Sequence, residues 1–216
     1  MTGLNSEILL RAYAAGLFPM AERHDEKKLF WIDPEKRGIL PLDKFHIPRR
    51  LRRTIRNKPF EIRCDTAFEE VIRNCAKTKK DRKETWINEQ LIKLYMDLSE
   101  LGRAHSVEVW MDDELVGGLY GVALGAAFFG ESMFSEKVNA SKIALVHLVA
   151  RLVKGGFCLL DTQFVTNHLN QFGAVEIHRS GYRLLLSSAL NKNGNFHQDL
   201  DEAELSFFIQ STTQTS

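Results

Sequence analysis

Residues 106–122, SVEVWMDDELVGGLYGV, constrain the fold more than any other stretch of this 216-residue chain. Val107, Val109 and Met111 alternate with Glu108 and Trp110, the DDE triplet makes a turn, and a return strand runs from Leu115 through Val122. Alternation with period two presses one face of each strand onto a core, so this stretch predicts an antiparallel β-hairpin. Helical periodicity precedes it. SEILLRAYAAGL at 6–17 places Leu9, Leu10, Tyr13 and Leu17 on one face. Thr66 and Glu69 have the spacing of a capping box ahead of Phe68, Val71, Ile72 and Cys75. Asn88 is placed to cap a helix carrying Leu91, Leu94, Tyr95, Leu98 and Leu101, closed by Gly102. After the hairpin come a strand at 126–129, a helix at 139–154 stopped by Gly155-Gly156, a short buried strand ending at Asp161, a brief helix from Thr166 to Phe172, and a helix at 180–190. This order predicts an α+β fold with the 139–154 helix packed on one face of the sheet. Residues 18–48, rich in Pro, Gly and charge, look like loops with one or two short strands. The boundary of a small N-terminal unit falls near 37–44.

The strand ends carry the chemical signal. FFGESMFS at 128–135 and LLDTQFVTNHL at 159–169 are strongly apolar, yet Glu131 interrupts one, and Asp161 and Gln163 interrupt the other. An unpaired charge among Phe, Met and Leu is costly, so each carboxyl must find partners or have its pKa raised, and raised carboxyls are candidate bases. A lone Asp at a strand end more often caps a helix or pairs with an Arg, and Glu131 has Lys137 and Lys142 nearby in sequence. Asp161 and Gln163 are two residues apart, so an extended strand turns both to the same side, where a carboxylate and an amide can orient an amine. No Ser–His–Asp order is legible, which favours catalysis by positioning with acid–base help.

Charge is local. The net charge is +1, but residues 44–63 hold eight Lys/Arg against one Glu, and KTKKDRK at 77–83 holds five against one Asp. That density, with Leu51 and Ile55 interleaved, points as much to a polyanion contact as to a solvated helix face. Trp31 and Trp86 lie beside these basic runs, as aromatics that stack on bases do, although most tryptophans are core. Three cysteines without a CxxC pair, and seven histidines without HxxxH or HExxH, predict a reducing compartment and no metal site. The N-terminus lacks an apolar signal region, and no run approaches the ~20 apolar residues of a membrane helix.

Taken together, AHSVEVW (104–110), LVGGLYG (115–121), FFGESMFS (128–135), NASKIAL (139–145) and LLDTQFVTNHL with FGAVEI (159–177) closely resemble the bacterial leucyl/phenylalanyl-tRNA–protein transferases. The match runs from GLFPM at 16–20 to the helix near 190. The resemblance implies transfer of Leu or Phe, less often Met, from aminoacyl-tRNA to the N-terminal Arg or Lys of a protein. The transfer marks that protein for N-end-rule degradation in the cytoplasm. It implies a small N-terminal domain (1–38) and a GNAT-like, acyl-CoA N-acyltransferase-like, catalytic domain (39–216). It also implies no cofactor, no metal, no membrane and a monomer. It assigns Asp161 and Gln163 to activation or orientation of the acceptor amine, with Glu131 at the same centre. Leu119, Phe128, Leu145, Leu148 and Leu160 fall around the side-chain pocket. Trp86 falls at the adenine site, and Arg49, Arg50, Arg52, Arg53 and Arg56 on the tRNA-gripping region. Two positions depart from the family's usual pattern. Met20 stands where FPW is common, leaving Met20, Phe30 or Trp31 as the second adenine wall, and Glu84 replaces the glycine before TWI.

Two alternatives compete with the transferase. An acyl-CoA-dependent acetyltransferase needs a Q/R-x-x-G-x-G/A pyrophosphate loop at a helix start, whereas RLVKGG at 151–156 has other spacing and ends a helix. A non-catalytic RNA-binding module accounts for the basic arm and the tryptophans but leaves Glu131, Asp161 and Gln163 without purpose.

Overall fold

A computed structural model describes residues 4–21, 29–57, 59–78 and 85–212. Most of the KTKKDRK run, and Glu84, lie outside these residues. The chain opens with α1 (Ser6–Ala14), whose Asn5 side chain accepts from Ile8 N. β1 (Phe18–Ala21) and β2 (Leu29–Ile32) pair as a two-stranded sheet of their own. β3 (Lys36–Ile39) instead enters the large sheet between two strands from the far end of the chain. α2 (Arg49–Arg56) and β4 (Glu61–Cys64) follow, neither of them signalled by periodicity.

α3 (Phe68–Ala76) buries Phe68, Val71, Ile72 and Cys75, but the expected capping box is absent. Glu108 takes its place from the neighbouring strand: the Thr66 hydroxyl bonds to it, and it accepts from Thr66 N at 2.9 Å and Ala67 N at 2.8 Å. A fully buried carboxylate thus spends its lone pairs on the exposed donors of a helix start. α4 (Glu89–Glu100) has the expected Asn88 cap. The hairpin forms from β5 (Ala104–Met111) and β6 (Glu114–Leu124), with Asp112 and Asp113 as its two-residue turn, both at positive φ. Such left-handed pairs match the strand twist, and Asp tolerates them better than most residues. β7 (Ala127–Ser135), α5 (Ala140–Lys154) and β8 (Leu159–Gln163) make a crossover unit, followed by α6 (Asn167–Asn170), β9 (Val175–His178), α7 (Arg179–Leu190) and α8 (Glu202–Ser211). α8 was not foreseen: the acidic tail contains a true capping box of Asp201 and Glu204.

The large sheet has the order β4-β5-β6-β7-β8-β3-β9, and only β7–β8 is parallel. Helices cover both faces. One core, built on α5 with Phe45, Leu51, Phe157 and Phe196, packs against the Val107, Leu119 and Phe128 side. The other, from α1, α3, α4 and α7, packs against the Tyr120 and Phe129 side. The fold is mixed α+β, as expected. Among the described residues no helix is long and apolar enough to cross a membrane.

Candidate active site

The site is made where the parallel pair comes apart. β7 and β8 pair at Ala127–Leu159, Phe128–Leu160 and Phe129–Asp161, and pairing stops there. β7 continues along β6, while β8 continues along β3. Both strands carry an extra residue just beyond the split. Tyr120 pairs with Ser132 and Gly121 with Gly130, so Glu131 is left without a partner in the ladder. Gly38 pairs with Gln163 and Ile39 with Asp161, so Thr162 is likewise extra. A bulge bends its strand and re-aims a side chain, and the ends of parallel strands are where open sheets hold ligands. Glycine permits the crowding: a Cβ on Gly121 would lie 2.3 Å from the Phe129 carbonyl oxygen, and one on Gly38 2.6 Å from the Phe164 carbonyl carbon.

The gap is a cavity of about 360 Å³. Leu119, Met133, Leu145, Leu148, Leu160 and Leu169 give it apolar walls. Glu131, Ser132, Thr162, Gln163 and His168 add polar groups, and Phe18, Pro19, Met20 and Trp86 close one side. Eight expected site residues therefore meet: Glu131, Gln163, Leu119, Leu145, Leu148, Leu160, Trp86 and Met20.

Others do not reach it. Phe128 is fully buried in the α5-side core, stacked 5.8 Å from Phe196. Trp31, 39% exposed opposite Pro19 on β2, is not part of the lining. Asp161, 0% exposed, lies behind the cavity wall. Arg37 holds it from Nε at 2.9 Å to Oδ1 and from a terminal nitrogen at 2.6 Å to Oδ2. Tyr182 donates to Oδ2 at 2.7 Å, and Gln163 N to Oδ1 at 2.8 Å. The Arg37 guanidinium also donates to the Gly16 carbonyl and lies 4.5 Å and 4.6 Å from the Phe18 and Tyr182 ring centres. Burial opposes the charge on Arg37, but Asp161 more than offsets it and holds the guanidinium above its ordinary range. Burial, then the Asp161 charge, pushes the Tyr182 phenol up, so it stays a donor. The expected common orientation of Asp161 and Gln163 fails because Thr162 is bulged and Gln163 turns left-handed at φ 57°.

Glu131 has a different setting. Its Oε1 is 2.7 Å from the Tyr13 hydroxyl and its Oε2 2.8 Å from the Tyr95 hydroxyl, and the two hydroxyls are 2.7 Å apart. Gln163 Nε2 donates to Oε1 at 3.3 Å. Among the described residues its hydrogen-bond partners are Tyr13, Tyr95 and Gln163, not Lys137 or Lys142. Burial raises its pKa to about 7, against the pull of the two phenols. His168 Nε2 and Thr162 Oγ1 are buried without a hydrogen-bond partner among the described residues. Burial, and then Lys142, lowers the His168 pKa, which favours the neutral ring.

The five expected tRNA-contacting arginines lie on α2 and flank one depression. Arg49, Arg50, Arg53 and Arg56 are exposed. Arg52 points inward, donating to the carbonyls of Ile47 at 2.8 Å and Thr212 at 3.2 Å. Elsewhere, Asp65, His105 and His197 bring potential metal-ligand atoms within 4.8 Å of one another, a grouping with no sequence motif. Its carboxylate already binds His105 Nδ1 at 2.8 Å and Ser106 N at 2.7 Å.

Sequence reasoning missed Arg37 and Tyr182. Arg37 stood in PEKRGIL, a charged stretch without a periodic signal, as the second residue of a four-residue strand. Tyr13 and Tyr95 were placed on buried helix faces, but nothing local says that their hydroxyls meet one carboxyl.

Comparison with known proteins adds the family. The profile described as Leucyl/phenylalanyl-tRNA protein transferase matches residues 39–187, and the one for its N-terminal domain matches residues 3–35. Leucyl/phenylalanyl-tRNA–protein transferase of Paramagnetospirillum magneticum is 63% identical over 199 residues, covering 92% of this chain and 95% of that one. The proteins of the same name from Caulobacter vibrioides and Rhodospirillum rubrum are 60% and 55% identical, covering 88% and 94% of this chain and 87% and 95% of theirs. A solved structure, L-PGS from Bacillus licheniformis, aligns with a TM-score of 0.38 at 14% identity over 76% of this chain and 55% of that one, a likeness too slight to carry an argument. With two profiles and near full-length relatives in agreement, the chain belongs to the leucyl/phenylalanyl-tRNA–protein transferase family.

Proposed function

We propose that this chain moves Leu or Phe, and less readily Met, from aminoacyl-tRNA to the N-terminal Arg or Lys of a protein. The transfer marks the acceptor for N-end-rule degradation in the cytoplasm. The observation that carries this is the cavity at the split of β7 and β8, where apolar walls meet Glu131 and Gln163 in a member of this family. An aminoacyl ester is already activated, so its aminolysis needs alignment and proton management more than a nucleophile on the enzyme. Burial of an apolar side chain is worth ~25 cal/mol per Å², and one methylene discriminates by only about 1–3 kcal/mol, so tolerance among large apolar residues follows. Trp86 and Met20 flank the terminal adenine, and Arg49, Arg50, Arg53 and Arg56 take phosphates.

In this scheme Gln163 touches the acceptor amine. Asp161 is a scaffold group, because all its contacts face inward to Arg37, Tyr182 and the Gln163 backbone. The working unit is a monomer with a GNAT-like catalytic domain (39–216) behind a small N-terminal domain (1–38), and needs no cofactor. The test is transfer of labelled Leu or Phe from charged tRNA to a peptide beginning with Arg or Lys. Labelling of those peptides and not of the same sequence beginning with Ala supports the proposal; equal labelling, or none, refutes it.

A further inference from the structure

The contacts around Glu131 pose a counting problem. Four oxygens, two of the carboxyl and one on each of Tyr13 and Tyr95, make three contacts of 2.7, 2.8 and 2.7 Å. A phenol brings one hydrogen, so two phenols satisfy two contacts. If both donate to an ionised Glu131, the two hydroxyl oxygens face each other at 2.7 Å with nothing between them. A third hydrogen completes the set, and only the carboxyl can supply it.

We propose that Glu131 is held protonated in a closed ring of hydrogen bonds with Tyr13 and Tyr95, and that this ring sets the Gln163 amide with its carbonyl oxygen toward the acceptor amine. This rests on the transfer reaction proposed above. The closed ring uses every hydrogen of the carboxyl and the two phenols, so toward Oε1 the Gln163 amide can only donate. Its amide N–H donates to Oε1, so Oε1 is the carbonyl oxygen and the hydrogen sits on Oε2. Oε2–H then donates to Tyr95, Tyr95 to Tyr13, and Tyr13 back to Oε1. With the Nε2 side of the amide turned to Glu131, the Gln163 carbonyl oxygen is left to accept from an amine in the cavity it lines. Tyr13 and Tyr95 are positioning residues.

The surroundings agree. The groups that face Glu131 are Tyr13 from α1, Tyr95 from α4, Tyr120 from β6 beside Tyr95, Arg37 from β3, and Asp161 with Gln163 from β8. The one cation among them, Arg37, is bound in two places to Asp161, so the pair offers Glu131 little net charge. Burial raises both phenols well above their usual range, and both keep their hydrogens. Burial also puts the Glu131 pKa at about 7. When that proton leaves, both phenols turn to the carboxylate, the Tyr13–Tyr95 contact loses its hydrogen, and the ring opens.

The test is infrared difference spectroscopy of protein labelled with 13C at Glu, wild type minus Glu131→Gln, across a pH titration. The ring predicts a protonated-carboxyl C=O band that is present below pH about 7, is lost above it and shifts in D2O. Carboxylate bands alone down to pH about 5 overturn it. Tyr13→Phe and Tyr95→Phe, checked for folding by circular dichroism, should each displace this titration as far as the double variant does, since either breaks the ring; additive displacements overturn it. In transfer, Glu131→Gln supplies an N–H and a C=O in place of the acid, so kcat should stay within about tenfold, whereas Glu131→Ala should lose roughly a hundredfold with KM little changed. Equal loss in both variants overturns the positioning role. Absence of transfer by the wild type would refute the functional proposal, and the infrared titration would still decide the ring.

Discussion

Asp161 closes the last pair of the parallel ladder and Glu131 lies two residues past its partner Phe129, yet the two carboxyls meet opposite fates. Asp161 is sealed: its oxygens are committed to a guanidinium, a phenol and a backbone N–H, and none faces the cavity. Glu131 lines the cavity, its hydrogen-bond partners among the described residues are two phenols and an amide, and burial pushes it toward the protonated form. The Asp161 carboxyl meets a guanidinium, whereas the Glu131 carboxyl meets phenols and an amide, and burial raises its pKa. The fold supplies the arginine to one site by threading β3 between β8 and β9, which brings Arg37 in from 124 residues away in sequence.

The contrast breaks first at the sealed site. Asp161→Ala leaves a buried guanidinium unpaired and should cost about 3–5 kcal/mol of stability in denaturant melts. A change confined to turnover would mean that Asp161 does chemistry. Gln163→Ala should do the reverse, lowering kcat about a hundredfold with the thermal midpoint nearly unchanged. Within the cavity, Leu148→Ala should shift the Phe-to-Leu preference toward Phe by about tenfold, the scale of a methylene or two in competition assays. The smallest effect repeats the sealed-versus-open contrast on α2. Arg53→Ala should reduce the salt slope of tRNA binding by about one. Arg52→Ala, whose donors are tied to Ile47 and Thr212 carbonyls, should leave the slope alone and lower stability.

The pH dependence of stability follows from Glu131. Its folded pKa, about 7, lies above its unfolded value. The folded state therefore binds more protons between the two, and the contribution of this group is full below the unfolded pKa and is lost as pH rises to about 7. Glu131→Gln should flatten that part of the stability profile.

The local parts of this were legible. Period-two alternation located the hairpin, a 3.6 period located α1, α3, α4 and α5, and two carboxyls in apolar runs located the site. What was hidden depends on partners distant in the chain. Thr66–Glu69 has the spacing of a capping box, but Glu108 reaches the same donors from another strand. Asp161 and Gln163 have the spacing of one strand face, but register against β3 places a bulge between them. Arg37 was not singled out, because strand insertion leaves no periodic trace in four residues. Phe128 looked like pocket lining by family position, yet it lies before the split, paired with Leu160, and packs against Phe157 and Phe196.

The sealed and open carboxyls are separated most directly by replacing the ion pair with apolar residues of similar size, Arg37→Met with Asp161→Leu, and measuring transfer by protein shown to be folded. Replacing both partners avoids the stranded charge that either single change leaves. If Asp161 only supports the wall, the double variant keeps kcat within about tenfold of wild type. If a folded double variant loses transfer as completely as one lacking the Gln163 amide, Asp161 takes part in the chemistry and the division between the two carboxyls is wrong.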